Sequence, residues 1–389
     1  LHLAGNDDLG VLFITNDASR TGAPRLLLHL AQELLDVGGV RMCFLVRRGG
    51  PLLREFAKLG PTVCLSEYSV VRRIMGRDLF RRRAVELLAR SLARRVDGID
   101  LIYSNTAANG QLLGDLEILH RPTISHIHEL GHVIVHGSLP MHVATMTRVT
   151  DQFIAASRAC KQSLINDFGV LEARVRVIHE FIPLEVNTRC SSLRNELAIP
   201  SDALLIGAAG SPATRKSPDV FLQVARQVRQ SRRGIDRFRF VWVGGDGAEL
   251  DFLRRDIALT GLNDYVYAVG DRGDAPGCFA DFDLFLLPSR EDTYPLVVLE
   301  CAAQSIPTIC FAAAGGAPEF VEQDAGRVVP YLNVEAMTAA VLELGSNAAQ
   351  LGRLGERAKS KVSERHNVRD VVPEILGLMQ GTAFASCSR

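Results

Sequence analysis

Along this chain, short runs of consecutive apolar residues alternate with longer stretches whose apolar positions recur every three or four residues. "VLFIT" (11–15) reads as a strand, and the "APRLLLHLAQELLDVG" that follows puts Leu26, Leu27, Leu30 and Leu34 on one face of a helix. "MCFLV" (42–46), "TVCL" (62–65), "IDLIYS" (99–104), "PTISHIH" (122–128) and "DQFIAAS" (151–157) read as further buried strands. After residue 200 the alternation begins again with "LLIGAAG", "FRFVWVGG", "YVYAVG", "DLFLLPS", "PTICF" and "GRVVP". Uninterrupted apolar strands separated by helices belong to parallel sheets covered on both faces. Two such series predict an α/β protein of two Rossmann-like domains facing an interdomain cleft, with ligands beyond the carboxyl ends of the strands. Periodicity lapses in "HEFIPLEVNTRCSSLRNELAIP" (179–200). The expected organisation is therefore a domain over 1–185, a second over 186–372, and a helix or tail over 373–389 returning to the first.

With 389 residues, 47% apolar and 23% charged, the composition is that of a globular protein too long for one ordinary core. The formal net charge is zero but unevenly spread: residues 1–190 carry 23 basic and 19 acidic side chains, the remainder 21 and 25. Nine arginines fall between Arg72 and Arg95. This stripe suits either an anionic membrane surface or a plain solvated helix face. The eight cysteines are scattered without a CxxC pair, which fits a reducing compartment and gives no zinc motif. No apolar run reaches the ~20 residues of a bilayer span, and no signal peptide is evident. A cytoplasmic protein, at most peripheral at the inner face of the membrane, is the expectation.

The candidate chemistry centres on "SREDTYPLVVLECAAQSIPT" (289–308), where the strand "DLFLLPS" runs into a loop and a helix is predicted to start at Pro295. The first N–H groups of that helix, around Tyr294, Leu296 and Val297, are an expected anion site. Glu300 lies roughly 7–8 Å along it at 1.5 Å per residue. A carboxylate at that distance from a bound diphosphate can accept hydrogen bonds from both ribose hydroxyls. Asp292, in the preceding loop, would reach toward whatever the far phosphate carries.

The segment "PSREDTYPLVVLECAAQSIPTICFAAAGGAPEFV" closely resembles the nucleotide-sugar signature of retaining glycosyltransferases of the GT-B fold, family 4. That signature has two glutamates separated by seven residues, a small-residue helix, a Pro-initiated strand and a Gly-Gly-x-Pro-Glu turn. The resemblance implies a ribose contact for Glu300 and a donor-sugar contact for Asp292, which stands one methylene short of the usual glutamate. Gly315, Gly316 and Glu319 match the turn, with Glu319 supporting the loop. In "GAAGSPATRKSPDVFLQVA" (207–225), Lys216 aligns with a phosphate-binding lysine, while Ser211 stands where an arginine is common. Arg215 is either its substitute or a surface side chain. Gly22, between the first strand and first helix, matches the family's glycine loop facing phosphates and acceptor.

"SHIHELGH" (125–132) offers His126, His128, Glu129 and His132, but HxH at a strand end without a further clustered ligand is a weak metal motif. The resemblance instead sets a histidine at this strand end beside the reacting sugar carbon, with His128 the match and His126 the fallback. "FVWVGGDGAEL" (240–250) supplies Gly244, Gly245 and Gly247 as a backbone loop beside the nucleotide, although Leu250 breaks GxGxxG. Arg272 either stacks on a base or is exposed. The resemblance implies no metal and no cofactor, with a nucleotide-diphosphate sugar as donor and a glycan or lipid-linked acceptor. It also implies retention by front-side attack, in surface polysaccharide or glycoconjugate synthesis. A nucleotide-sugar epimerase and a catalytically degenerate nucleotide-sugar-binding protein remain as alternatives, and nothing suggests nucleic acid.

Overall fold

A computed structural model describes residues 8–67, 78–185, 192–231, 237–272 and 275–387. Arg72, Arg73 and Arg77 of the arginine stripe, residues 186–191 of the predicted boundary, and residues 273–274 lie outside these. The chain forms two compact units, one of Leu1–Glu180 with Val368–Arg389 and one of Phe181–Asn367.

Among the described residues, the first unit holds seven strands: β1 (Leu9–Asp17), β2 (Val40–Arg48), β3 (Thr62–Cys64), β4 (Leu101–Ser104), β5 (Thr123–Ile127), β6 (Gln152–Ala155) and β7 (Val175–Val177). They lie in the order β3-β2-β1-β4-β5-β6-β7 and pair in parallel throughout. The second unit holds six: β8 (Leu204–Ala209), β9 (Phe238–Val243), β10 (Val266–Gly270), β11 (Leu284–Leu287), β12 (Thr308–Phe311) and β13 (Gly326–Val329). Their order is β10-β9-β8-β11-β12-β13, again all parallel. The doubly wound reading is correct for both. Edge strand β7 was not predicted: its three residues include Arg176, so no continuous apolar run marks it.

Burial on both faces explains why the strands read as unbroken apolar runs. In β1, Leu12 and Ile14 enter a core with Cys43, Leu45 and Ile102, while Phe13 points to the other face. There Phe13 is in register with Phe44 of β2 and Tyr103 of β4, at ring centroid distances of 5.5 and 5.3 Å. Phe56 extends the row beyond Phe44, and at the other end the Tyr103 hydroxyl meets His126 Nδ1 at 2.8 Å. Packed rings thus run across the sheet and end at a histidine. In the second unit Phe221, Phe240, Trp242 and Tyr265 form a comparable aromatic core.

The last helix, Val368–Cys387, packs on the helix Gly22–Val37 and on β4 and β5. It buries Val372, Ile375, Met379 and Ala383. The two ends of the second unit are bridged: the Ile182 N–H donates to the carbonyl of His366 at 2.9 Å, and Ile182 pairs with Asn367.

Candidate functional site

In the second unit, the loops at the carboxyl ends of β8, β9, β11 and β12 are knitted together by backbone. The Gly210 N–H donates to Val243 O at 2.9 Å and the Gly244 N–H to Gly270 O at 2.7 Å. Gly244 has φ of 106°, and a side chain there would press on Gly210, its Cβ 3.0 Å from that carbonyl oxygen. Gly245 is tighter, since a Cβ would stand 2.2 Å from Pro212 Cδ. These glycines are required by close approach of one loop to the next.

On this platform the predicted residues Lys216 and Asp292 meet. The Lys216 ammonium is bonded directly to the Asp292 carboxylate, and Arg215 Nη1 lies 3.8 Å from the other carboxylate oxygen. Both partners of the pair are nearly buried, at 11% and 10% side-chain exposure. Burial draws the Lys216 ammonium below its ordinary value and Arg215 adds to this, while Asp292 opposes both. The Asp292 N–H donates to Ala314 O at 2.7 Å, and its carbonyl accepts from the Gly316 N–H at 3.1 Å. The Gly315–Gly316 turn therefore holds the acid in place by main chain, and Glu319 sits in the first turn of the short helix that follows. Arg290, which was not singled out from sequence, locks the same loop. It binds Asp219 through two bonds of 2.9 and 2.8 Å and donates to Ser217 Oγ, while its N–H donates to Arg215 O. Ser217 is buried with φ of 58°, left-handed for a non-glycine residue. No local signal in the sequence marks this lock, since Arg290 lies 71 residues from Asp219 and 73 from Ser217.

Several predicted placements need correction. Pro295 caps the helix rather than opening it; the helix is Leu296–Ala302, seven residues. The Tyr294 side chain is buried with its hydroxyl 3.2 Å from His366 Nε2, so only its main chain remains for a ligand. Leu296 is buried, Val297 half-buried, and Glu300 is buried at 5% exposure. Ser211 donates its hydroxyl to Glu249 at 2.6 Å, and Arg215 is exposed. Arg272 forms an ion pair with Glu196 at 2.9 Å, a contact to a short helix that the sequence did not suggest.

In the first unit a second constellation forms around His128. Its Nδ1 faces Glu180 Oε1 at 2.7 Å and its Nε2 faces Asn105 Oδ1 at 3.0 Å. The orientation of Asn105 follows from its other end, since Nδ2 donates to Ala23 O at 2.7 Å. A carboxylate at one ring nitrogen and a carbonyl oxygen at the other call for a proton on each, the arrangement of an imidazolium. Burial alone would lower its pKa, but Glu180, with Glu129 behind it, outweighs burial and holds the pKa above the usual histidine value. His126 is the opposite case. Burial and the neighbouring His128 charge push it well below, and its Nε2 has no hydrogen-bond partner among the described residues. Gly22 is the first residue of its helix and the chain neighbour of Ala23; a Cβ there would meet only open space.

Glu180 supplies the third ligand that the HxH motif lacked. His126, His128 and Glu180 bring ligand atoms within 4.8 Å of one another, a group able to hold a metal ion. Two ligands of a tetrahedral zinc ion stand about 3.4 Å apart at bonds near 2.1 Å. The 2.7 Å between His128 and Glu180 is shorter, and matches a shared proton. His132 is not part of this group and stacks on His136 at 4.1 Å.

The arginine stripe is partly spent inside the protein. Arg81 is 6% exposed and forms two bonds to Asp115, at 2.7 and 3.0 Å. Arg83 and Arg90 both hold Glu86, while Arg82, exposed like them, stands 3.6 Å from Asp115. No helix among the described residues is long and apolar enough to cross a membrane.

Residues 20–186 match the sequence model described as Glycosyltransferase Family 4, and residues 202–347 the model described as Glycosyl transferases group 1. The chain is 26% identical over 251 residues to a D-inositol 3-phosphate glycosyltransferase of Saccharomonospora viridis, covering 60% of this chain and 58% of that one. It is 26% identical over 210 residues to an exopolysaccharide phosphotransferase of Streptomyces coelicolor, covering 54% and 21%. The chain thus spans less than two thirds of the length of these curated relatives. Among solved structures, Anabaena HepE with UDP-glucose superposes with a TM-score of 0.77 at 19% identity, over 96% of this chain and all of that one. Sucrose-phosphate synthase of Thermosynechococcus elongatus gives 0.78 at 18%, over 97% and 100%. A glycosyltransferase model thus matches each half of the chain, and its fold is that of GT-B glycosyltransferase structures along nearly the whole length.

Proposed function

We propose that the protein transfers a sugar from a nucleoside diphosphate sugar to a glycan or lipid-linked acceptor, with retention of configuration and without a metal or other cofactor. The observation that carries this reading is the convergence of Lys216, Asp292 and the glycine loops at the carboxyl ends of the second sheet, where doubly wound folds bind ligands. Solved neighbours of the same fold hold UDP and UDP-glucose. Curated relatives are named for O-antigen and inositol phosphate glycosylation.

In this reading the donor diphosphate takes the Lys216 ammonium from Asp292, which frees the carboxylate for the sugar hydroxyls, while Glu300 accepts from the ribose. Lysine charge at the departing phosphate supplies the electrostatic stabilisation of the leaving group. The bond from the anomeric carbon to the phosphate oxygen breaks as the acceptor oxygen bonds to the same face, and that phosphate oxygen takes the acceptor's proton. In this reading His128 does not serve as a base, since each of its ring nitrogens faces an acceptor.

Incubation of the purified protein with candidate nucleotide sugars, with and without acceptor extract, tests this. Diphosphate release that depends on acceptor supports transfer. Isomerised donor would make it an epimerase, and binding without turnover a degenerate binding protein.

A further inference from the structure

At the carboxyl ends of β1, β2 and β3 the first unit contains a cavity of about 490 Å³, lined among others by Asn16, Arg47, Arg48, Ser66, Ser138 and His142. This is within the size range of small-molecule sites. Its cations are poorly neutralised. Arg47 is half-buried, and its one described side-chain contact is the neutral Gln111, at 3.5 Å. Arg48 lies 3.6 Å from Asp17, whose carboxylate already accepts from the Ser19 hydroxyl at 2.6 Å and the Ser19 N–H at 3.0 Å. The nearby Asp115 is taken by Arg81. Burial lowers the Arg47 pKa, Arg48 and Arg81 add to that, and only Asp115 opposes. Two adjacent guanidinium groups that repel each other at the wall of a cavity are stabilised by an anion.

We infer that this cavity is a subsite for a phosphate ester, the anionic part of the acceptor, with Arg47 and Arg48 binding the phosphate oxygens. The inference deepens the glycosyl-transfer reading and rests on it for the word acceptor. Phosphate is favoured over carboxylate by charge: a monoester carries roughly −1.5 to −2 at neutral pH and matches two guanidinium groups, whereas one carboxylate leaves a cation uncompensated. The ester is either a soluble sugar or polyol phosphate or a lipid phosphate.

Calorimetric titration with inorganic phosphate and with a hexose phosphate, and sedimentation with phosphatidate vesicles, test this on wild type, Arg48→Gln and Arg47→Gln/Arg48→Gln. Each removed guanidinium is expected to weaken phosphate binding about tenfold or more, with UDP affinity unchanged in both variants. Arg48 is exposed, so its single variant keeps the test valid if the double variant unfolds. A hexose phosphate that binds while vesicles do not identifies a soluble ester; the reverse identifies a lipid. Equal phosphate affinity in wild type and Arg48→Gln would overturn the subsite. Arginine-dependent phosphate binding in a protein that binds no nucleotide sugar would instead overturn the transferase reading and leave the subsite standing.

Discussion

The ammonium of Lys216 rests on the carboxylate of Asp292, so the two side chains expected to serve opposite ends of one donor are each other's partners. Removal of one strands the other. Lys216→Ala is expected to lower kcat/KM about 10- to 150-fold, the worth of one charge-assisted bond of roughly 1.5–3 kcal/mol. It should also destabilise the fold more than Lys216→Ala/Asp292→Asn does, because the double variant leaves no unpaired buried charge. Urea denaturation of the two variants checks this; additive losses would mean the pair is not coupled.

Glu300 is enclosed and lies five residues into its helix. Glu300→Gln keeps its shape and removes its charge. UDP itself should bind at least tenfold more weakly to this variant, as expected for loss of a charged hydrogen bond. Calorimetry with free UDP decides, and unchanged affinity in a folded variant would exclude the ribose contact.

His128 titrates above its ordinary value of 6.5. A folded pKa raised in this way gives stability that is fully present below about pH 6.5 and is lost as pH rises through the folded value. Glu180→Gln should bring the histidine back into its neutral form at lower pH and flatten this dependence. Long-range proton–nitrogen NMR of the ring at neutral pH should show two protonated nitrogens in wild type and one in the variant. A neutral ring in wild type would refute the imidazolium.

Lys361 is fully buried and holds Glu322 Oε2 at 2.8 Å, Phe320 O at 3.1 Å and the Asp324 carboxylate. Its bond holds the Glu322 carboxyl low; burial would raise Asp324, but Lys361 and Arg357 outweigh it. Carboxyls held low stabilise the fold above their unfolded values, and that contribution is lost as pH falls through the folded ones. Stability should therefore drop below about pH 4. Lys361→Ala should cost about 1–3 kcal/mol in urea denaturation at neutral pH, because the exposed carboxylates it leaves keep Arg365 and Arg357 as partners. A loss under about 1 kcal/mol would show that the pair relaxes into water.

Arg81→Ala, which strands the buried Asp115, should lower stability by about 3–5 kcal/mol, whereas Arg82→Ala should change it by under about 0.5 kcal/mol. Vesicle sedimentation that falls in Arg81→Ala while the melting curve stays put would reverse this assignment.

The fold was legible because parallel strands buried on both faces are dominated by apolar residues, and among the described residues twelve of thirteen strands announced themselves by such runs. Strand β7 did not, since an edge position tolerates Arg176. Side-chain partners were a different matter. Lys216 and Asp292 are 76 residues apart and Glu180 is 52 beyond His128, so nothing local in sequence joins them. Arg81 could be counted as a charge but not recognised as buried, because its partner Asp115 is 34 residues away. Tyr294 sits in a recognisable motif, yet its ring turns toward His366, 72 residues further on.

The bridge between Ile182 and the His366–Asn367 segment makes Phe181–Asn367 an inserted domain whose entry and exit lie side by side. The ribosome therefore delivers it as one uninterrupted stretch, able to fold as it emerges. The unit begun first must wait, its strands β4 and β5 lacking the helix Val368–Cys387 until translation nears the end of this sequence. A chain cut short after Asn367 would expose the surface that Val372, Ile375 and Met379 cover, and a chaperone or protease could tell it from the longer product.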